Sequence, residues 1–494
     1  MIKYNSTKQL SIEEFKTPFY YGLDKNNRWA RLAKQIPWDD FAKIYAKALC
    51  EDFGRPALDA RIVIGAMIIK HKKGLSDEET IEEIKENAYL QFFIGYEEFS
   101  HKPPFDPSLF VTLRERLGVD VFEALNQAFI AGLQKAEEAQ NESAENNDEP
   151  NKGNKEPKKP ERQGKLILDA SVAPQDIKFP TDLDLLNDSR EHTERIIDKL
   201  WQPGPGKRKP RTYRMIARKD YLSVVKRKKK SAKVLRASIR KQLGYTMRNI
   251  QTIKRLINLE TGKPSSLNSR DLKTFFIVQE IYRQQKEMYD DRKHQVSDRI
   301  VSVAQPYVRP IVRGKSGKHT EFGSKFSVSL VKGFAFLDHL DWDAFNESMD
   351  LKGQVEQYRE RFGFYPEEVI VDAIYGTRDN RNYLKKHGIT FSGKALGRPP
   401  KLTDEEAKFA RKRLRAQARL RNRIEGKFGE GKRKYDLDRV KAKTMHTSES
   451  WIAAIFFVMN LARWQRMGSF LSLLRWLEFF KERFVYRPND VFSY

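Results

Sequence analysis

Lys165-Leu166-Ile167-Leu168-Asp169 is a short apolar run that ends on an acid, and Val369-Ile370-Val371-Asp372 repeats the arrangement 203 residues later. Runs of apolar, mostly branched residues this short read as strands buried on both faces, the kind found where helices cover a sheet. If the two strands are neighbours, their carboxylates emerge at the same end of the sheet. Other strand and helix signals alternate around them: residues 326–331 (Phe-Ser-Val-Ser-Leu-Val), a helix near 379–386, a short strand at 389–391, then a longer helix. That order predicts an α/β fold with a mixed sheet flanked by helices.

The longer helix begins after Thr403, which with Glu406 forms a capping-box signature. Leu420, Ile424 and Phe428 recur every four residues, an apolar stripe suited to packing on the sheet. Arg421, Glu425 and Lys432 form a polar line beside it, although Gly426, Gly429 and Gly431 weaken the helix there. Glu425 is therefore a third carboxylate that can join Asp169 and Asp372. Acids gathered inside a basic protein point to bound metal, and phosphodiester chemistry uses paired divalent cations held by oxygen ligands. The plainer readings are an Arg421–Glu425 pair on a helix surface and aspartates that cap turns.

The 494 residues carry a formal net charge of +26, which favours a phosphate-bearing partner. Residues 207–241 hold 16 Lys or Arg against one Asp, a local net of +15. Lys207, Arg208, Lys209, Arg211, Lys226, Arg227, Lys228, Lys229 and Lys230, interleaved with Tyr213, Met215 and Tyr221, read as a phosphate-tracking helix inside a helical insertion at about 189–300. A single cysteine, Cys50, excludes a disulfide framework and a thiolate zinc cluster. The apolar stretch 451–461 is about half of what a membrane span needs and reads as a buried helix. No secretory signal, Walker loop or nucleophile-and-base spacing among Ser76, Ser171 and His192 is present, and His319 and Glu321 read as a structural pair.

Residues 38–118 read as four short helices. Gly74 ends the second, Ser76 with Glu79 caps the third, and Asp106-Pro107 opens the fourth. Asp77, Glu78, Glu79, Glu82, Glu83 and Glu86 give the third an acidic face that a duplex would repel, so assembly or protein interaction is as good a reading as DNA binding. An acidic, proline-flanked stretch follows. The expected organisation is a helical N-terminal domain (1–135), a flexible linker (136–163), a catalytic domain (164–465) and a helical tail (466–494).

Several stretches taken together resemble the DDE transposases of bacterial insertion sequences. They are Leu168-Asp169-Ala170-Ser171-Val172 with Phe179-Pro180-Thr181-Asp182 and Leu185-Leu186; His319-Thr320-Glu321-Phe322-Gly323; Val371-Asp372 with Tyr375-Gly376 and Asn380-Arg381; Leu396-Gly397-Arg398-Pro399; and Arg421-x3-Glu425-x6-Lys432. The resemblance implies an RNase H-like catalytic core with a separate all-α N-terminal domain. It carries the DDE triad onto Asp169, Asp372 and Glu425 as catalytic and metal-binding residues, and Arg421 and Lys432 onto the signature around the glutamate. Mg2+, replaceable by Mn2+, is the implied cofactor. Double-stranded DNA, both the element's terminal inverted repeats and the target, is the implied partner, with a homodimer in the synaptic complex, no membrane, and a cytoplasmic, nucleoid-associated location. The chain departs from the family pattern at Ala418, where the signature has a tyrosine. A transposase-derived regulator that binds DNA without cutting it is the alternative.

Overall fold

A computed structural model of the chain describes residues 14–16, 22–49, 57–130, 162–203, 208–259, 267–312, 320–393 and 403–484, with the backbone alone at 259 and 468–484. Cys50, most of the expected linker, Lys207, His319 and the 396–399 motif lie outside the described residues, as do the side chains of the tail from residue 468 on.

Among the described residues, seven helices form the N-terminal region: α1 (Arg28–Gln35), α2 (Trp38–Lys47), α3 (Ala60–Lys73), α4 (Asp77–Glu86), α5 (Ala88–Phe93), α6 (Leu109–Arg116) and α7 (119–130). Local chemistry sets their ends. Asp59 accepts from the Arg61 amide at 2.7 Å to start α3, and Gly74, at φ 70°, ends it in the left-handed conformation that only glycine adopts cheaply. Ser76 and Glu79 form the reciprocal capping box of α4. The fourth expected helix starts later than its sequence predicts. Residues 107–108 form a turn held by Asp106, whose carboxylate takes the Ser108 amide at 2.9 Å, and α6 begins at Leu109.

Six strands of the described residues build one mixed sheet: β1 (Lys165–Pro174), β2 (Arg309–Val312), β3 (Thr320–Val331), β4 (Phe334–Asp341), β5 (Glu368–Ile370) and β6 (Thr390–Ser392). The order is β2-β3-β1-β5-β6, with β4 pairing the second half of β3. β1 runs antiparallel to β3 and parallel to β5, and β5 runs parallel to β6. Three antiparallel strands followed by two parallel ones is an RNase H-like arrangement. Lys332 and Gly333, both at positive φ, make the tight β3–β4 turn that matches strand twist.

Between β1 and β2 lies the insertion: α8 (Asp182–Leu200), α9 (Arg214–Val225), α10 (Ala232–Leu259) and α11 (Ser269–Asp291). It has its own apolar core, in which Ile196, Ile197, Ile253, Val278 and Ile281 are buried. Helices α12 (Leu351–Phe362), α13 (Arg378–Lys386), α14 (Asp404–Lys434) and α15 (Met445–Phe484) complete the chain. Despite its glycines, α14 is continuous through Gly426, Gly429 and Gly431; a Cβ on Gly431 would stand 2.9 Å from Leu437, so the glycine permits close approach there.

The apolar stretch 451–461 is buried within α15, and no described helix is long and apolar enough to cross a membrane. One face of α15 packs on β4, the other on α3 and α6. Asn460 makes the junction explicit. Its amide nitrogen donates to Asn126 at 2.9 Å and to the Ala335 carbonyl at 2.7 Å, and its oxygen accepts from the Ala335 amide at 2.8 Å. The N-terminal helices and the sheet therefore share one apolar core. The acidic α4 takes part too: Asp77 turns inward and pairs with Lys70 at 2.9 Å and Arg114 at 2.7 Å, both buried.

Candidate active site

Parallel pairing of β1 with β5 ends at Ile167 and Ile370, and two residues further along each chain stand Asp169 and Asp372. The sheet opens between them. β1 does not end at its acid, as its sequence suggests. It continues to Pro174, because β3 offers an antiparallel partner for eight of its residues, from Ile167 to Pro174. β5 does end, and Asp372 caps the following 3-10 turn (Ala373–Tyr375) by accepting the Ala373 amide at 2.6 Å.

Across this opening lies α14. Ile424 and Phe428 are buried beneath it, and the Phe428 ring meets Phe326 of β3 edge-on at 5.7 Å. Burying that stripe turns Glu425 toward the gap. Asp169, Asp372 and Glu425 consequently line one cleft of about 540 Å³, together with Arg421 and Lys432. Val312, Lys325 and Glu347 complete much of the wall.

Arg421 organises the charge. Its guanidinium lies 3.5 Å from Asp372 and 3.4 Å from Glu425, both of which are more than half exposed. Asp169 is half-buried, the least exposed of the three. Burial pushes its carboxyl up to about 6, the Ala170 amide and Arg421 pull it down, and the neighbouring Glu347 and Glu425 push it further up.

Among the described residues no three acid, His or Cys side chains converge closely enough to hold an ion as they stand. The Arg421 side chain spans the space between two of the three. The donor set itself suits a hard divalent cation: it is all oxygen, it opens to solvent, and its innermost carboxylate is short of positive charge. A buried hydroxyl beside it, that of Tyr375, has no hydrogen-bond partner among the described residues.

None of the described residues of the basic insertion lines this cleft. Arg208, Lys209 and Arg211 are exposed ahead of α9, with Lys209 and Arg214 paired to Asp198 at 2.7 Å. Lys226 to Lys230 do not continue a helix. They form the exposed connection between α9 and α10, where five adjacent cations repel one another and no apolar stripe holds them to the core. Glu321 lies on β3 opposite Ile311 of β2, which lines the cleft, and is not itself among the lining residues. Lys325 and Glu347 escape sequence reasoning; neither sits in a pattern that separates it from the chain's many other charges.

Two families match the chain. The one described as a transposase DDE domain covers residues 369–462, which include Asp372 and Glu425 but not Asp169. The one described as a transposase domain (DUF772) covers residues 18–116, all of α1–α6. The chain is also 34% identical over 152 residues to an uncharacterized protein, ORF8 of the nfe locus of Rhizobium meliloti. That alignment takes in 31% of this chain and 64% of the relative's length, so the chain spans somewhat less than two thirds of it. No solved structure matches. With a transposase-domain match in its N-terminal helices, another across β5 to α15 and an RNase H-like sheet between them, the chain is similar to the insertion-sequence DDE transposases.

Proposed function

We propose that the protein cuts and joins double-stranded DNA at the ends of an insertion sequence, with Asp169, Asp372 and Glu425 as its catalytic carboxylates. What carries this reading is their convergence on one cleft, delivered by β1, β5 and α14, in a chain of net charge +26. Asp169 and Asp372 would hold divalent cations, Mg2+ or Mn2+, with Glu425 closing the set from the helix. Such ions, when bound, activate the attacking oxygen and stabilise the leaving one.

The chain's own residues do the rest. Asp169 stands within β1, paired to β3, and Asp372 two residues past the end of β5, capped onto the 3-10 turn, so strand pairing and that cap together set where the two acids stand. Arg421, held between two carboxylates in the free protein, is placed to turn to a phosphate oxygen when DNA enters, with Lys432 as a second cation on the same wall. A water, and later the freed 3′-hydroxyl, attacks the phosphodiester in line, and no covalent enzyme intermediate is required. The exposed Lys226–Lys230 connection and Arg208, Lys209 and Arg211 would bind backbone phosphates away from the cleft, and two copies would pair the element's two ends.

Incubating the protein with end-containing duplex in Mg2+ or Mn2+ and resolving nicked, excised and joined products tests this. Asp372→Asn should abolish all three products while end binding persists. DNA binding with no product from the unaltered protein in either ion would assign it instead to regulation.

A further inference from the structure

Glu347 stands in the 3-10 turn that precedes α12, and three independent features tie it to the cleft. It lines the same wall as Asp169, Asp372 and Glu425. Its carboxylate is held at 2.9 Å by the ammonium of Lys325, a largely buried side chain that also donates to the Phe345 carbonyl at 2.8 Å. Its turn is fastened to the turn that follows Asp372. The buried Asn380 amide donates to the Ser348 carbonyl at 2.7 Å and to the Tyr375 carbonyl at 3.0 Å, so the residue after Glu347 and the third residue after Asp372 hang on one side chain.

Tyr375 supplies a further observation. Its ring is fully buried, its hydroxyl has no partner among the described residues, and the carboxylates acting on it most strongly are Glu347 and then Asp169. Buried hydroxyls are almost always hydrogen-bonded, and this one sits in the turn that Asn380 fastens to the turn of Glu347, where it can take a partner in another state of the site. Charge supplies the reason. Two divalent cations would bring four positive charges against three negative ones from Asp169, Asp372 and Glu425, so a further acid on the same wall lowers the excess.

We propose that Glu347 is a fourth carboxylate of the cation site, sharing a divalent cation with Asp169, with Lys325 as its counter-ion in the cation-free protein and the Tyr375 hydroxyl donating to it once the cation is bound. This rests on the metal-dependent reading of the cleft. In a purely structural role the Lys325–Glu347 pair would only brace the turn.

Mn2+ binding to the full-length protein, followed by calorimetry and by electron paramagnetic resonance without DNA, separates the two. Glu347→Gln should weaken Mn2+ binding at least tenfold, Lys325→Met should strengthen it, and Tyr375→Phe should weaken it without lowering the melting temperature. Mn2+ affinities within twofold of the parent for folded Glu347→Gln and Tyr375→Phe proteins would overturn the proposal. Should Glu347→Gln fail to fold, Tyr375→Phe and Lys325→Met decide it by the same criteria. Asp372→Asn is the reference. If it weakens Mn2+ binding while Glu347→Gln does not, the fourth carboxylate alone is wrong; if neither does, the metal-dependent reading falls with it.

Discussion

Arg421 and Glu425 stand four residues apart on α14 and meet at 3.4 Å, with the arginine's other terminal nitrogen reaching Asp372 at 3.5 Å. One guanidinium thus bridges two acids from different elements. Pairs this exposed add little to stability, typically under about 1 kcal/mol, so their value lies in what the arginine does when the acids find another cation.

Arg421→Met should therefore change folding stability by less than about 1 kcal/mol. It should tighten Mn2+ binding, because a competing cation is gone, and lower DNA cleavage by about tenfold or more, because a phosphate oxygen loses its partner. Denaturant titration, calorimetry and the product assay read the three separately. Cleavage at the parental rate would remove Arg421 from the chemistry.

Asp169 gives a pH dependence with a definite sign. Its carboxyl holds a proton up to about pH 6 in the folded chain, against an ordinary value of 3.8. Between those values the folded state binds more protons than the unfolded one, so its stability falls as pH rises through the window and stays lower above it. Asp169→Asn, neutral throughout, should exceed the parent by up to about 3 kcal/mol at pH 8 in cation-free buffer and lose that advantage by pH 4. Denaturant midpoints across the range measure the gap, and a gap independent of pH refutes the assignment.

The insertion predicts a salt effect. Replacing Lys226, Arg227, Lys228, Lys229 and Lys230 with alanine should weaken binding to all duplexes alike and flatten the slope of log affinity against log salt by roughly 0.9 for each DNA phosphate that is no longer neutralised. Folding should be unaffected, since all five side chains are exposed. An unchanged slope would show that DNA passes elsewhere.

Asp77 tests the docking of the N-terminal helices. Asp77→Ala strands Lys70 and Arg114, whose side chains are 2% and 5% exposed, without their counter-charge. A destabilisation of about 3–5 kcal/mol is expected in chemical denaturation. A cost below about 1 kcal/mol would mean that solvent reaches these cations.

Much of this site could be read from local chemistry. Asp372 follows a strand and caps a turn, Thr403 and Glu406 start α14, and Leu420, Ile424 and Phe428 set which face of it meets the sheet; each depends on residues a few positions apart. What escaped depends on partners far along the chain. Nothing local shows that β1 continues through Asp169, because β3, more than 150 residues away, supplies the pairing. Glu347 gains significance only from Lys325 behind it and Asn380 beneath it. The acidic face of α4 is only partly legible for the same reason: Glu78, Glu79, Glu82 and Glu86 are exposed, whereas Asp77 answers buried cations from α3 and α6.

The Asn460 bridge between Asn126 and the β4 backbone has an evolutionary corollary. A decaying copy of the gene that lost the segment encoding α1–α7 would leave the apolar side of α15 bare and produce insoluble polypeptide, not a free-standing nuclease. Truncation would silence such an element at the level of folding, before any question of DNA recognition arose.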